Sequence, residues 1–258
     1  MFIPSQRKLR KKSLYSVELF DLHSLNICDV YKFFSTSFSS LPTQLIEHRK
    51  YFSQDLRGYG EDAFHSFWFW LFSNYLDSYE NELKILEIGV YRGQTATLFA
   101  ILGSFFDLSV KVTCISPFDN TGDAVSVYPD LNYVDDIIFS AKKFGVEADL
   151  SLVTAYSNSN EGIDAIRSFN WNLAYIDGSH DQDIVEQDLI NVSSSLLVGG
   201  FLVFDDSSLG VKDVASYVKW NGFIGHPGPS IIAQHHTRQH DLCHLLTVGH
   251  LNLFVKIR

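Results

Sequence analysis

The sequence predicts an α/β fold: a doubly wound, mostly parallel seven-stranded sheet with an antiparallel edge, preceded by an N-terminal helical extension. From residue 83 onward, five short apolar runs alternate with segments of helical character. Strands that are apolar on both faces are typical of parallel sheets covered by helices. Residues 245–257 add two apolar runs about Gly249, which indicates a terminal pair of strands that forms the antiparallel edge.

Each element of this sheet can be assigned to a segment by its apolar pattern. We expect the two terminal strands to follow the five central ones, with helices between most of them. The central strands are predicted at residues 83–89, 110–116, 149–155, 171–177 and 200–206, and helices at 95–102, 135–144 and 184–197.

The N-terminal part of the chain differs in character. Residues 34–41 are rich in serine and precede a proline, which predicts a loop. Residues 61–79 are rich in aromatic side chains at helical spacing, which predicts a buried helix. Trp68 and Trp70 fit a core, although a binding shelf stays open as an alternative. We therefore expect an N-terminal arm and helical extension over residues 1–80, for a lid or oligomerisation, and the domain that holds the sheet over 81–258.

The charge balance argues against nucleic acid as a partner. The 258 residues are 46% hydrophobic and 19% charged, as in ordinary globular proteins, and 30 acidic against 20 basic side chains give a net charge of −10. Phosphate binding needs a surplus of Lys and Arg. Five cations fall within residues 7–12; a solvated arm is the favoured interpretation, and a nucleic-acid or membrane-surface patch is the alternative.

The cysteines and the apolar runs bear on the compartment. Cys28, Cys114 and Cys243 are odd in number and far apart, which favours a reducing, cytoplasmic setting. No apolar run approaches the roughly 18 residues of a spanning helix. The cations at the N-terminus precede no apolar stretch of the kind found in secretory signals. We therefore expect no membrane partner.

In doubly wound sheets, ligands bind at the carboxyl ends of the strands. The first predicted strand ends in Glu87 and continues through Gly89 and Gly93, where glycine permits a sharp turn and a close approach by a ligand. Two glycines four residues apart are not the GxGxxG of dinucleotide-binding proteins, so a nicotinamide oxidoreductase is disfavoured. On its own, the turn could also be purely structural.

Two further strand ends carry polar motifs. The fourth strand runs into Ile-Asp-Gly-Ser-His at 176–180, and the fifth, after Gly199-Gly200, ends in Asp205-Asp206. Together with the ExGxxxG turn, these segments resemble class I S-adenosylmethionine-dependent methyltransferases. Within that class they are similar to the small metal-dependent O-methyltransferases grouped with macrolide-sugar, rhamnosyl and cephalosporin-hydroxylase-like enzymes. The resemblance covers about residues 83–206.

The resemblance implies a Rossmann-like fold, S-adenosylmethionine as cofactor and a small-molecule acceptor, with a sugar hydroxyl preferred. It also implies cofactor-binding roles at the first turn and at the ends of the second and third strands. The implied cofactor-binding residues are Glu87, Gly89, Tyr91, Gly93, Ser116, Asp119 and Ser157. The family usually has an acid for the ribose where Ser116 stands, so Asp119 is a weak substitute and Ser157 a modest candidate on the adenine side.

The carboxylates at the strand ends suggest a metal site. If the fourth and fifth strands are neighbours, they lie about 4.8 Å apart, and Asp177, Asp205 and Asp206 would repel one another without a cation. A hard divalent ion, Mg²⁺ above all, suits such oxygen ligands. The alternative is that Asp205 and Asp206 cap a loop and that Asp177 forms a turn with Gly178.

His180 follows Asp177 by three residues and could take a proton from an acceptor hydroxyl. The resemblance supports this role, since the histidine of a DGSH segment is the proposed base in the macrolide-sugar enzymes. In other relatives an Asp stands where this chain has Ser179, so the base differs within the group. A surface histidine that caps a helix is the alternative.

Six histidines crowd the C-terminal region, with His240 and His244 at a spacing that would share a helix face. A histidine-rich acceptor loop is conceivable, but solvated or hydrogen-bonded histidines are favoured over a zinc site. The sequence thus predicts an O-methyltransferase with Asp177 and His180 as catalytic residues. A non-catalytic nucleotide-type binding module with the same fold is the alternative, and homo-oligomerisation is left open.

Overall fold

A computed structural model describes residues 18, 19, 22, 25–76, 82–119, 132–208 and 225–258. The basic run at residues 7–12 lies outside them. The helices are α1 (Ile27–Ser37), α2 (Thr43–Phe52), α3 (Asp62–Leu71), α4 (Gln94–Phe106), α5 (Tyr133–Phe144), α6 (Asn160–Arg167), α7 (Gln182–Ser195) and α8 (Pro227–His235). The strands are β1 (Leu83–Ile88), β2 (Val110–Ser116), β3 (Leu150–Thr154), β4 (Trp171–Ile176), β5 (Leu196–Phe204), β6 (Leu242–Val248) and β7 (Leu251–Lys256).

The seven strands form one sheet in the order β3-β2-β1-β4-β5-β7-β6. The first five pair in parallel, and β7 runs antiparallel to both of its neighbours. Strand order reverses between β1 and β4, which is the switch point where such sheets bind ligands. The predicted doubly wound sheet with an antiparallel edge is confirmed.

Apolar side chains form two cores, one on each face of the sheet. The larger core joins α1, α3 and α4 to one face, with Phe34, Trp70 and Phe99 fully buried in it. The smaller core places α7 and α8 on the other face, through residues such as Leu189 and Ile232. The N-terminal helices therefore belong to a layer that the sheet needs to bury its apolar surface.

The aromatic segment forms α3 and continues as a π-helical turn, Phe72–Leu76. Trp68 is 2% exposed and Trp70 is 0% exposed, so both belong to the core and neither forms an open shelf. Residues 77–79 of this predicted helix lie outside the described residues. The division of the chain near residue 80 stays a prediction.

The serine-rich stretch is helical, which corrects the predicted loop over residues 34–41. Helix α1 runs to Ser37 and a 3-10 turn, Phe38–Ser40, follows it. Thr36 and Ser37 donate their hydroxyl hydrogens back to the carbonyls of the preceding turn, which lets these polar residues sit on a helix. Burial of Phe34 then outweighs the local preference of serine for loops.

The cysteines and the helices of the described residues bear on the predicted compartment. Cys28, Cys114 and Cys243 are all free thiols. Among the helices that the structure describes, none combines the length and the apolar character needed to span a bilayer.

Candidate active site

The backbone ladder of the sheet continues one residue past the ends of β1, β4 and β5. The Asp177 amide donates to the Ile88 carbonyl at 2.8 Å, and the Asp205 amide donates to the Ile176 carbonyl at 2.9 Å. Parallel pairing of β4 with β5 thus places Asp177 and Asp205 side by side, as predicted. This edge of the sheet, with the residues that follow its strands, is called the rim below.

Gly89 makes the turn that follows β1, and the chain itself fills the space beside it. Its φ is +87°, and a Cβ there would lie 1.8 Å from the carbonyl oxygen of Asp177. Gly93 has φ of +83° at the start of α4, and a Cβ would meet Ile137 at 2.7 Å. Both glycines are needed because another segment of the chain packs closely against each of them. The approach of a ligand at Gly89 stays a prediction.

Glu87 ends up buried beneath this turn. It is 1% exposed, and its Oε2 atom has no hydrogen-bond partner within the described part of the chain. Its neighbours across the sheet are Cys114 on β2 and Tyr175 on β4. Burial raises the pKa of Glu87 well above its ordinary value. A buried acceptor of this kind calls for a donor that the described residues do not supply.

The side chain of Tyr91 is directed toward the N-terminal layer. Its hydroxyl donates to the Leu56 carbonyl at 3.0 Å, and its ring packs against Tyr59 and Tyr133. Its φ of +47° is a strained value for a tyrosine. The predicted cofactor turn thus packs against the segment that precedes α3.

The other three predicted cofactor residues follow β2 and β3. Ser116 is the last residue of β2, and its carbonyl accepts from the Ala155 amide at 3.1 Å. Asp119 lies exposed three residues on, and Ser157 lies in the loop after β3, beside the buried Asp188. They share the rim side of the sheet with Gly89.

Tyr175 joins the two strand-end aspartates. Its hydroxyl is 3.0 Å from Asp177 Oδ2 and also hydrogen-bonds Asp205 Oδ2. Burial, together with the charges of Asp205 and Asp206, raises the pKa of Asp177 well above its ordinary value. Burial likewise raises the pKa of Asp205, to about 6, although the nearby His250 opposes the shift. The raised pKa values of Asp177 and Asp205 therefore favour a state in which this pair of carboxyl groups retains a proton.

His180 and Asp206 form a hydrogen-bonded pair at the same rim. His180 Nε2 is 2.8 Å from Asp206 Oδ2. Burial works against ionisation of Asp206, but the hydrogen bond to His180 and the nearby His250 and His226 outweigh it and lower its pKa. Asp206 has φ of +51°, a strained conformation of the kind that concentrates at functional sites. These features favour a paired histidine over a simple helix cap.

Three residues of the rim were missed by sequence reasoning. Tyr175 could have been found, because it lies two residues before Asp177 and so shares its face of β4. His226 stacks on His180 with ring centroids 3.7 Å apart, and His250 Nε2 is 3.4 Å from Asp205 Oδ1. These two come from distant segments, and in the sequence only their place among the six C-terminal histidines marked them.

Among the described side chains, two groups offer donor atoms within 4.8 Å of one another, as a metal ion would require. They are His180, Asp206 and His226, and Asp205, Asp206 and His250. Asp177, a predicted ligand, falls in neither of these groups. Carboxylate oxygens and imidazole nitrogens are both ligands for divalent ions.

His240 and His244 do not share a helix. His240 ends a 3-10 turn, Thr237–His240, and His244 lies on β6.

Comparison with known proteins bears on what this rim does. Residues 86–207 match the sequence family described as a methyltransferase domain. Over these residues the chain is similar to methyltransferases. The match covers slightly less than half of the sequence and includes every predicted site residue. No curated protein matches the chain in sequence.

Solved structures of methyltransferases share the fold of this chain. A Podospora anserina methyltransferase, PaMTH1, bound to S-adenosylhomocysteine, is 14% identical with a TM-score of 0.55, over 84% of this chain and 89% of that one. An O-methyltransferase from Bacillus cereus, also with S-adenosylhomocysteine, is 11% identical with a TM-score of 0.53, over 88% and 97%. CalS11, the TDP-rhamnose 3′-O-methyltransferase of calicheamicin biosynthesis, is 16% identical with a TM-score of 0.51, over 88% and 93%. At these identities the likeness concerns the fold.

Proposed function

We propose that the protein transfers a methyl group from S-adenosylmethionine to a hydroxyl of a small molecule, a sugar or glycosylated metabolite by preference. The observation that carries the proposal is the pair His180–Asp206, 2.8 Å apart, on the rim of a methyltransferase domain. A histidine held by a carboxylate is a suitable general base for a hydroxyl. A module that only bound a nucleotide would have no use for such a base.

The residues of the first turn fit the cofactor. Glu87 presents a buried carboxylate oxygen without a partner in the described residues, beside the turn from Gly89 to Gly93. A ligand donor at Glu87 would satisfy that oxygen. Ser116, Asp119 and Ser157 would complete the cofactor site from β2 and β3. When bound, S-adenosylmethionine supplies an electrophilic methyl group.

His180 would remove the proton from the acceptor hydroxyl. Asp206 fixes the orientation of its ring and stabilises the imidazolium that forms when the ring takes up the proton. Asp206 is well placed for this role, because its lowered pKa keeps it ionised at neutral pH. Asp177 would act beside it as the second catalytic residue.

A divalent cation would also fit the rim. Asp177, Asp205 and Asp206 are the oxygen ligands predicted from the sequence, with Mg²⁺ as the ion. The ionised Asp206 and the raised pKa of Asp205 both accord with a cation site, since a bound cation would relieve the repulsion between these carboxylates. Such an ion would make an acceptor hydroxyl more acidic.

The setting of the reaction follows from the composition. Net negative charge and three free thiols favour a cytoplasmic protein with a small-molecule acceptor, and with neither nucleic acid nor membrane as partner. A sugar acceptor is supported by the sequence resemblance and by the shared fold of CalS11, which acts on TDP-rhamnose. A homo-oligomer through the N-terminal layer is part of the proposal.

Calorimetry and mass spectrometry test the proposal together. We expect S-adenosylhomocysteine to bind the purified protein, and a panel of nucleotide sugars with S-adenosylmethionine to contain an acceptor that gains one methyl group. Asp177→Asn should abolish turnover and leave S-adenosylhomocysteine affinity nearly unchanged. Absence of S-adenosylhomocysteine binding would contradict the proposal.

A non-catalytic binding module is the second candidate, and Ser116 in place of the usual ribose acid favours it. That candidate predicts ligand binding without methyl transfer to any acceptor of the panel.

A further inference from the structure

A histidine lies among the rim carboxylates and bears on which metal ion fits there. His250 Nε2 is 3.4 Å from Asp205 Oδ1 and 3.8 Å from Asp206 Oδ1. Donor atoms bonded to one ion at about 2.1 Å stand roughly 3.0 to 4.2 Å apart. The spacing of His250 from the two carboxylates is therefore that of donors that face a shared cation.

His250 is held in this position by the turn between β6 and β7. Its carbonyl accepts from the Ser207 amide at 3.1 Å, and Asn252 donates to the Ser207 carbonyl at 2.9 Å. The edge of its ring meets Phe64 of α3, with centroids 4.8 Å apart and planes at 90°. The residue is 8% exposed. The turn thus positions the backbone of His250, and the contact with Phe64 restricts its ring at the rim.

The second histidine group is less suited to a shared ion. The rings of His180 and His226 are stacked, with planes 14° apart and centroids at 3.7 Å. The lone pair of an imidazole nitrogen lies in the plane of its ring. When two rings are nearly parallel and face each other, their nitrogen lone pairs lie in parallel planes and do not converge on one ion. Stacking therefore suits a hydrogen bond to Asp206 and leaves His180 its role as base.

We propose that the rim binds a first-row transition-metal dication in preference to Mg²⁺, with His250, Asp205 and Asp206 as its ligands. The inference deepens the proposed function and rests on it for the use of a metal. Mg²⁺ prefers an oxygen shell, whereas imidazole nitrogen suits first-row ions such as Fe²⁺, Ni²⁺ and Zn²⁺. Asp177 accepts a hydrogen bond from Tyr175 and does not belong to this group of donors.

The full-length protein loaded with Mn²⁺ tests this directly. Electron spin-echo spectroscopy should show nitrogen-14 modulation from a bound imidazole, and labelling of histidine with nitrogen-15 should replace it. Calorimetry should find Mn²⁺ bound about tenfold or more tightly than Mg²⁺. His250→Gln should abolish the modulation. The exposed His235→Gln is the matched control and should keep both signals.

A second variant covers the case that His250→Gln does not fold. The double variant His180→Gln/His226→Gln should retain the nitrogen modulation. Loss of modulation in that variant, absence of modulation in the unaltered protein, or equal affinity for Mn²⁺ and Mg²⁺ would overturn the inference. S-adenosylhomocysteine binding to the metal-free protein distinguishes failure of the metal assignment from failure of the proposed function. If S-adenosylhomocysteine binds while the metal experiments give an overturning result, only the metal assignment is wrong.

Discussion

The Tyr175 hydroxyl hydrogen-bonds the Asp205 carboxylate in the interior of the rim, where Tyr175 is 4% exposed and Asp205 is 8% exposed. Burial, with the charges of Asp177 and Asp205, raises the pKa of Tyr175 well above its ordinary value. The phenol therefore stays protonated and serves as a donor to the carboxylates. Its single hydrogen cannot be donated to both at once, and Asp205 has a second donor in the Asp206 amide, 2.7 Å from its Oδ1.

Tyr175→Phe should destabilise the protein by about 1 to 3 kcal/mol, because it removes the hydroxyl that hydrogen-bonds the buried carboxylates of Asp177 and Asp205. Urea unfolding followed by circular dichroism measures this. Tyr156→Phe is the control, since Tyr156 is 51% exposed and should change the free energy of unfolding by less than about 0.5 kcal/mol. Equal effects of the two substitutions would contradict the role assigned to Tyr175.

Gly89→Ala should prevent folding or cost several kcal/mol, because its Cβ would lie 1.8 Å from the Asp177 carbonyl oxygen. Gly145→Ala is a matched control: its φ of +71° is also left-handed, but a Cβ there meets nothing within 4 Å. Backbone strain alone should cost about 1 to 2 kcal/mol. The difference between the two free energies of unfolding isolates the steric clash. A difference near zero would show that the turn relaxes.

His180→Gln should lower kcat by about 10² to 10⁴ while S-adenosylhomocysteine affinity stays within about twofold, because a general base acts on the acceptor and not on the cofactor. Initial rates with an identified acceptor and calorimetry provide the two values. His235→Gln, which alters an exposed histidine at the end of α8, should change neither. A full rate in His180→Gln would exclude His180 as the base.

Asp188 should make the protein less stable as pH rises. It is fully buried on α7, and burial raises its pKa from 3.8 to about 7, with Ser157 opposing the shift. The folded state therefore holds this proton more tightly than the unfolded state. The contribution is full below about pH 4 and is lost as pH rises through about 7, by an amount on the order of a few kcal/mol.

Asp188→Asn should remove this dependence, so its Tm should exceed that of the unaltered protein increasingly from pH 5 to about pH 7 and by a constant amount above that pH. Thermal unfolding across that range checks the effect. Asp164→Asn, on the exposed side of α6, is the control and should leave the profile unchanged. A constant difference in Tm across the range would contradict the buried ionisation.

Much of the site could be predicted because parallel strands impose it. Once the ends of β4 and β5 were recognised as Asp177 and Asp205-Asp206, pairing of those strands required the carboxylates to meet. The two glycines after β1 predicted a sharp turn, because glycine permits one. The local sequence pattern is enough to predict a contact wherever the pairing of strands fixes which residues lie side by side.

The remainder depends on packing between distant segments. His250 reaches Asp205 only because the hairpin of β6 and β7 adds to the sheet beside β5, and no periodicity marks a turn residue as a neighbour of the rim. Composition was misleading at residues 34–41, where burial of Phe34 decided the conformation. Tertiary contacts outweigh local preference in both cases.

The amide hydrogens of Asp177 and Asp205 are bonded to the carbonyls of neighbouring strands. These amides should exchange with solvent as slowly as those of the central sheet, since they open only when it does. This edge of the sheet should therefore be among the last parts of the described chain to open. Any change in the shape of the rim would have to come from the segments that rest on this edge, while the edge itself keeps its shape.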